Sequence, residues 1–302
     1  MIHQIARNRR KSVLLVTLFL AFWIAIGFLL GVVISRDSGV GSFTAVVLGL
    51  LAIGGIVYSL LLGERTVLAV SGAKPADPRQ YPQLHNVVEA LAIGDGLPKP
   101  AVYVIDDPAP NAFATGRDPR HAAITATTGL LQMMNREELE GVISHEMSHI
   151  KNYDVRVLLL VSTLVALAGL LGSLAFRSIF RLRVRGSAAQ IALLLLLVGG
   201  VFYLIAFVVG PLIQLAVSRS RESLADASGV ELTRNPAGLL SALKKIAAND
   251  KPLKTYNHAT AAMFIDNPLE HHKNWMHSLF DTHPPIEDRI AALERMLEVR
   301  ET

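Results

Sequence analysis

The chain has no cysteine. That absence excludes disulfides, a thiol nucleophile and any cysteine-ligated zinc site, and it fits a reducing compartment. Charge is scarce as well. Only 18% of residues are Asp, Glu, Lys or Arg and 51% are hydrophobic, whereas a soluble domain carries about a quarter charged residues. There is no internal repeat and no low-complexity linker.

The apolar excess lies in four uncharged blocks, residues 12–34, 39–62, 157–176 and 188–217. A bilayer span needs about 20 apolar residues, and each block meets that length. Helices buried in soluble cores rarely run so far without a charge, so four spans are expected. The first block exceeds the roughly 7–15 residues of a signal-peptide core, which predicts a retained anchor. The fourth is long enough to tilt, to kink near Gly210 and Pro211, or to leave the bilayer before its end.

The formal net charge of +4 conceals its distribution. Arg7, Arg9, Arg10 and Lys11 precede the first block, and Arg177, Arg181, Arg183 and Arg185 separate the third from the fourth. These eight cations sit at membrane ends, where anionic headgroups attract them. The remainder of the chain is acidic, so no basic face suggests a nucleic-acid partner. The first basic cluster predicts a cytoplasmic N-terminus, and two spans return the chain to that side. If all four blocks span, the second cluster lies outside, against the positive-inside tendency. Either the early spans dominate orientation, or blocks three and four form a hairpin only partly within the bilayer.

Between the second and third blocks the pattern changes. Leu84, Val87, Val88 and Leu91 have helical spacing, stopped by Gly94 and Gly96. "AVYVI" (101–105) and "AAITAT" (122–127) read as short strands, with "NAFATG" (111–116) as an extended edge. A helix is expected over 136–153, with Asn135 as N-cap and Glu137 and Glu138 in its first turn. Two more helices are expected over 235–250 and 284–300.

The helix over 136–153 carries "HEMSHIKNYD" from position 145. Residues four apart share a helix face, so His145 and His149 can address one metal ion, with Glu146 beside them. This is the HExxH arrangement of zinc hydrolases. Zinc lowers the pKa of a bound water toward ~7, and the glutamate can take its proton and pass it to a leaving amine. A catalytic zinc needs a third protein ligand. The position six residues after the second histidine, 155, is valine, so a third histidine there is excluded. Glu222 in "SRSRESLADASG" is the best candidate. It follows block four as the histidines precede block three, so a hairpin of those blocks brings the two groups together. Asp226, four residues on, is expected to take the second ring N–H of a ligating histidine. The bland alternative for both acids is an ordinary helix surface. His283, in a rigid "THPP" loop, could aim a ring at a developing oxyanion, or be structural. Arg289 could instead pair with a local acid such as Glu287.

"NAFATG", "TTGLL", "EELEGVISHEMSHIKNYD", "SRSRESLAD", "NPAGLL" and "THPPIEDRI" occur in one order across most of residues 100–291. In these motifs the chain resembles the HtpX membrane zinc metalloproteases, relatives of the CAAX prenyl proteases. Ser223 departs from the aromatic residue frequent there. The resemblance implies a mainly α integral membrane protein: four transmembrane helices plus a cytoplasmic zincin-type α+β protease domain with a small β-sheet, assembled from two chain segments. The expected division is residues 1–62 for spans one and two, 63–155 for the first protease segment, 156–217 for the hydrophobic hairpin and 218–302 for the second protease segment. One Zn2+ per chain is implied, held by His145, His149 and Glu222, with Glu146 as general base. His283 and Arg289 are implied to steady the transition state. Asn111, Ala112, Phe113 and Ala114 are expected to form an edge against which an extended peptide lies. The expected setting is a bacterial cell (inner) membrane, with a multi-pass chain whose active site faces the cytoplasm. Its expected partners are membrane and misfolded protein substrates and the lipid bilayer, with cooperation among membrane quality-control proteases under stress. The rivals are a non-catalytic zinc-stabilised membrane binding protein and a prenyl-protein (CAAX-type) protease.

Overall fold

A computed structural model of the chain describes residues 2–181, 196, 199–200, 210–249, 253, 263–265 and 286–301. Two long helices open it, α1 (Ile2–Ser35) and α2 (Ser38–Val70), joined at Asp37, whose side chain accepts from the Gly39 N–H at 2.6 Å. They pack as an antiparallel hairpin because their shared seam is made of small residues. A Cβ at Gly27 would stand 2.8 Å from Ala45 Cα, and one at Gly31 would stand 2.6 Å from Gly41 Cα. Gly41, Ala45, Gly49, Ala52, Ile56, Ser59 and Gly63 continue the buried seam at helical spacing, and Thr44 Oγ1 donates across it to Gly27 O at 2.6 Å. Close backbone approach of this kind lets helices associate where no water drives them together. The outward faces are apolar and bare, with Leu14, Leu18, Phe43, Val46, Leu50 and Leu61 all exposed. Both helices are long and apolar enough to cross a bilayer, and only 17% and 28% of their most apolar windows is buried. A soluble core helix would be mostly covered.

A four-stranded sheet follows, with β1 (Lys74–Pro75), β2 (Ala101–Ile105), β3 (Ala112–Asp118) and β4 (His121–Thr127) in the order β1-β2-β4-β3. β2 and β4 run parallel, and the other two pairings are antiparallel. The strand period of two divides it into faces. Ala112, Ala114, Ala122, Ile124 and Ala126 join the main core with α3 (Pro82–Asp95) and α5 (Arg136–Lys151). Phe113, Ala123 and Ile105 face the other way, toward Val67 and Leu68 of α2 and Leu159 of α6 (Asp154–Arg181). The sheet therefore joins the domain core to the helices rising from it. α3 ends at Gly96 with φ 66°, the left-handed cap glycine favours.

The short helix α4 (Thr128–Met133) leads to α5. Beyond α6 the described elements are α7 (Gly210–Thr233), α8 (Pro236–Ala247) and α9 (Ile286–Glu301). Apolar block three falls within α6. Most of block four, with Arg183 and Arg185, lies outside the described residues. β1 and α4 carry no sequence signal strong enough to have been expected. The helix expected over 136–153 is divided: α5 ends at Lys151, and Tyr153 turns with φ 60° before α6 begins.

Candidate metal centre and active site

α5 is the central helix of the site. A capping box starts it, in which Asn135 Oδ1 accepts from Glu138 N and Glu138 Oε2 accepts from Asn135 N, both at 2.9 Å. Leu139, Val142, Ile143, Met147 and Ile150 fix its apolar face in the core. Ser144, His145, Glu146, Ser148 and His149 are also buried, and buried polar groups require partners. Two glycines let neighbouring helices close on them. A Cβ at Gly229 of α7 would stand 2.9 Å from Ser144 Oγ and 3.1 Å from His145 N. Gly141 approaches α8 at the Leu239 backbone, where a Cβ would stand 2.6 Å from Leu239 N.

This approach carries Glu222 of α7 onto the histidines. Glu222 Oε2 lies 3.2 Å from His145 Nε2, and Glu222 Oε1 lies 3.4 Å from His149 Nε2. The two Nε2 atoms are 3.2 Å apart. Ligand atoms from all three buried residues lie within 4.8 Å of one another, so the group could hold one metal ion.

The far side of each ring meets a carboxylate. His145 Nδ1 is 2.8 Å from Asp226 Oδ1, and His149 Nδ1 is 3.2 Å from Asp154 Oδ2. A carboxylate accepts only, so each Nδ1–H is the donor, which leaves each Nε2 lone pair turned inward. Two imidazole lone pairs and a carboxylate facing one another repel unless a cation lies among them. The donor set of two nitrogens and one carboxylate suits zinc. The surrounding charge agrees. Glu146, Asp154, Glu222 and Asp226 are buried carboxylates, and Arg221 and Arg289 are buried guanidiniums. With neutral imidazoles that set holds two negative charges in excess, the complement of a divalent ion.

Arg289 of α9 clamps Asp226, donating from Nε to Oδ2 at 3.0 Å and from Nη2 to Oδ1 at 2.7 Å. The guanidinium lies 3.3 Å from His145 Nδ1 and 3.9 Å from Glu222 Oε2. Its acid partner thus lies across the fold on α7, where sequence had offered the local Glu287. Burial pushes the Asp226 carboxyl up, but the Arg289 charge and the His145 hydrogen bond outweigh it and hold the group at about 2. Burial and Arg289 push His145 down, but hydrogen bonds to Asp226 and Glu222 outweigh them and raise it to about 9. A proton and a metal ion compete for the same Nε2 lone pair, so metal binding goes with the neutral imidazole.

Glu146 is buried on the same helix turn, near enough to Arg289 for its charge to raise the guanidinium's proton affinity. His283 lies outside the described residues. Asn111, Ala112, Phe113 and Ala114 lead into and begin β3 at the end of the sheet, and all four are buried. Ala112 O already accepts from the Ile265 N–H at 2.9 Å, and Phe113 stacks edge-on with Phe264 at 4.8 Å. Three contributors escaped the sequence reading: Asp154, Arg221, whose Nη1 donates to Asp154 Oδ1 at 3.2 Å, and Asn8. Asp154 had one visible signal, an acid five positions after His149 at a helix start.

The model of peptidase family M48 matches residues 78–297. The chain belongs to peptidase family M48. A protease HtpX homolog of Ligilactobacillus salivarius (strain UCC118) is 44% identical over 97% of this chain and 99% of its own length. A protease HtpX homolog of Caldanaerobacter subterraneus subsp. tengcongensis is 43% identical over 96% of each chain. The crystal structure of S. mikatae Ste24p aligns with a TM-score of 0.50 at 18% identity, over 97% of this M48 chain and 67% of that one, a likeness of fold. With its two bilayer-length helices and its His-His-Glu group, this M48 chain is a membrane-bound metalloprotease.

Proposed function

We propose that the metal is zinc, one ion per chain, held by His145, His149 and Glu222, and that the enzyme is an endopeptidase. Its substrates are damaged or misassembled proteins in or on the membrane. The carrying observation is the convergence of those three residues' ligand atoms within 4.8 Å, in a buried set of charges short by two positive charges. Held by those three residues, zinc would supply Lewis-acid polarisation of the scissile carbonyl and acidification of a water. Glu146, on the same turn of α5 as His145, would take a proton from the attacking water and return it to the leaving amine. Asp226 and Asp154 fix the ring tautomers. Arg289 holds Asp226 in place and keeps a positive charge near the developing oxyanion, a task that His283 shares.

We further read the protease domain as two segments, residues 63–155 and 218–302, joined by a hydrophobic hairpin over 156–217 that completes four spans. In this reading the chain is a multi-pass protein of a bacterial inner membrane, the basic tail and the site face the cytoplasm, and the work is quality control under stress alongside other membrane proteases. The substrate backbone runs along Asn111, Ala112, Phe113 and Ala114. Because the Ile265 N–H occupies Ala112 O, a peptide there displaces residues 263–265 or pairs beside them.

The test is cleavage of casein, or self-cleavage, by purified full-length protein given zinc. Glu146→Gln should lower the rate by about 10²–10⁴-fold while metal content stays near one per chain. Undiminished cleavage in that variant refutes the base. Cleavage that survives thorough zinc removal refutes the mechanism.

A further inference from the structure

Asp154, which orients His149, is itself held from an unexpected direction. Its Oδ2 faces His149, and its Oδ1 accepts from Asn8 Nδ2 at 2.6 Å and from Arg221 Nη1 at 3.2 Å. Asn8 belongs to α1, the first membrane helix, in the midst of its basic cluster. Arg7, Lys11 and their neighbours reach outward to varying degrees, but Asn8 is 0% exposed. The second hydrogen of the same Nδ2 goes to Asn152 O at 2.8 Å. One amide thus ties Asn152, the residue that caps the end of α5, to the first residue of α6. A hydroxyl has a single hydrogen and could make only one of these bonds.

Neighbouring contacts hold the tip of α1 at this turn without touching Asp154 or His149. Ser12, one turn on and also buried, donates from Oγ to Asn8 O at 3.0 Å. Arg9 lies over the Tyr153 ring at 4.8 Å and donates from Nη2 to its hydroxyl at 3.0 Å. Tyr153 is the residue with φ 60° that swings Asp154 beneath His149. The tip of α1 therefore meets Asn152, Tyr153 and Asp154 in succession.

We propose that Asn8 is a positioning residue of the metal centre. Its amide fixes Asp154, Asp154 orients His149, and the N-terminal membrane helix is thereby part of the apparatus that retains the metal as well as an anchor. This rests on reading His149 as a metal ligand. A purely packing role for Asn8 predicts something different: any loosening of the α1 tip would then act alike, whether or not it touches Asp154.

The experiment uses full-length protein in lipid nanodiscs. It measures the rate of zinc transfer to a chromophoric chelator and the visible spectrum of the cobalt-substituted protein. A direct carboxylate partner of a ligating histidine is worth ~10–100-fold in metal affinity. Asn8 is one step further out, so Asn8→Ala should speed zinc transfer about 3–10-fold and alter the cobalt spectrum. Asn8→Asp is nearly isosteric, so α1 packs as before while a donor becomes an acceptor against Asp154. It should release zinc at least as fast as Asn8→Ala. Arg9→Ala frees the helix tip from Tyr153 but spares both Asn8 bonds, and its transfer rate and spectrum should match the parent. Parental zinc retention in both Asn8 variants overturns the proposal, and so does release from Arg9→Ala as fast as from Asn8→Ala. His149→Ala separates the two levels of argument. If it retains zinc at the parental rate, the ligand assignment itself fails. If it loses zinc while the Asn8 variants do not, only the role of Asn8 fails.

Discussion

His145 and His149 stand 4.7 Å apart, ring centre to ring centre, on one helix, yet they are steadied by opposite ends of the chain. His145 leans on Asp226 of α7, which is gripped by two hydrogen bonds from Arg289 of α9, all within the C-terminal part. His149 leans on Asp154, held by Arg221 and by Asn8 of the first membrane helix. The first arrangement is a fork-on-carboxylate pair, planar and doubly bonded, the geometry in which arginine loses least freedom. The second collects single bonds from three elements. A centre built this way has one imidazole fixed by the domain and one whose orientation depends on the domain meeting its anchor.

The largest expected effect comes from removing either carboxylate's charge. Asp226→Asn and Asp154→Asn should each weaken zinc binding ~10–100-fold, read by competition against a chelator of known affinity. Asp226→Asn should cost more, because its contact to the imidazole is 2.8 Å against 3.2 Å and its loss also leaves Arg289 buried without its closest partner. If Asp154→Asn proves the costlier change, the anchor side carries more of the centre than the hydrogen-bond lengths indicate.

A smaller effect tests how the C-terminal half reaches α5. Gly141→Ala sets a methyl against the Leu239 backbone, and Gly229→Ala sets one against Ser144 Oγ and His145 N. Overpacking costs ~1–3 kcal/mol, so each variant should unfold earlier in denaturant than the parent. Gly229→Ala should also loosen zinc, since Gly229 lies on the helix that carries Glu222 and Asp226. Gly94→Ala is the control: its added methyl meets only the Leu232 Cδ1 atom, at 3.3 Å, a side-chain end that can shift. Equal losses in all three would show that close helix approach does not set the site.

Particular residues explain how much of this could be read beforehand. The helix, the two histidines and the glutamate between them form a local pattern, and local patterns survive in a bare sequence. Glu222 was reachable because chain order supplied an argument, two groups flanking one apolar hairpin. Asp226 followed from periodicity. Arg289 was visible as a charge, but its partner was not, since pairing across 63 positions depends on how α7 and α9 pack. Asn8 was wholly hidden. An asparagine among four basic residues at a membrane end reads as solvated, and only the packing of α1 against the turn at Tyr153 makes it interior. Likewise the edge expected at Asn111–Ala114 is an edge in strand order, but Ile265 takes a backbone acceptor that the strand pattern alone leaves open.

The smallest effect lies wholly on the domain side and follows pH. Glu138, buried near the start of α5, accepts from Ser241 Oγ at 2.6 Å and from Lys245 Nζ at 2.7 Å, which joins α5 to α8. Burial alone would raise its carboxyl, but the hydrogen bonds from Lys245, Ser241 and the Asn135 N–H outweigh that and bring it below its ordinary 4.5. A folded-state value below the unfolded one means the carboxylate stabilises the fold above about pH 4.5, and that contribution is lost as pH falls through the folded value. Glu138→Gln should therefore cost about 1–2 kcal/mol near neutrality, discounted toward the lower figure because Lys245 is 41% exposed. The gap between variant and parent in urea unfolding should close as pH drops below about 4.5. With both proteins unfolded in their metal-free form, the difference between them isolates Glu138. Zinc transfer at neutral pH should stay at the parental rate, because the Glu138 bonds touch neither Asp154 nor Asp226. A gap that persists unchanged to pH 3 would assign the loss to the shape of the glutamine and not to the missing charge.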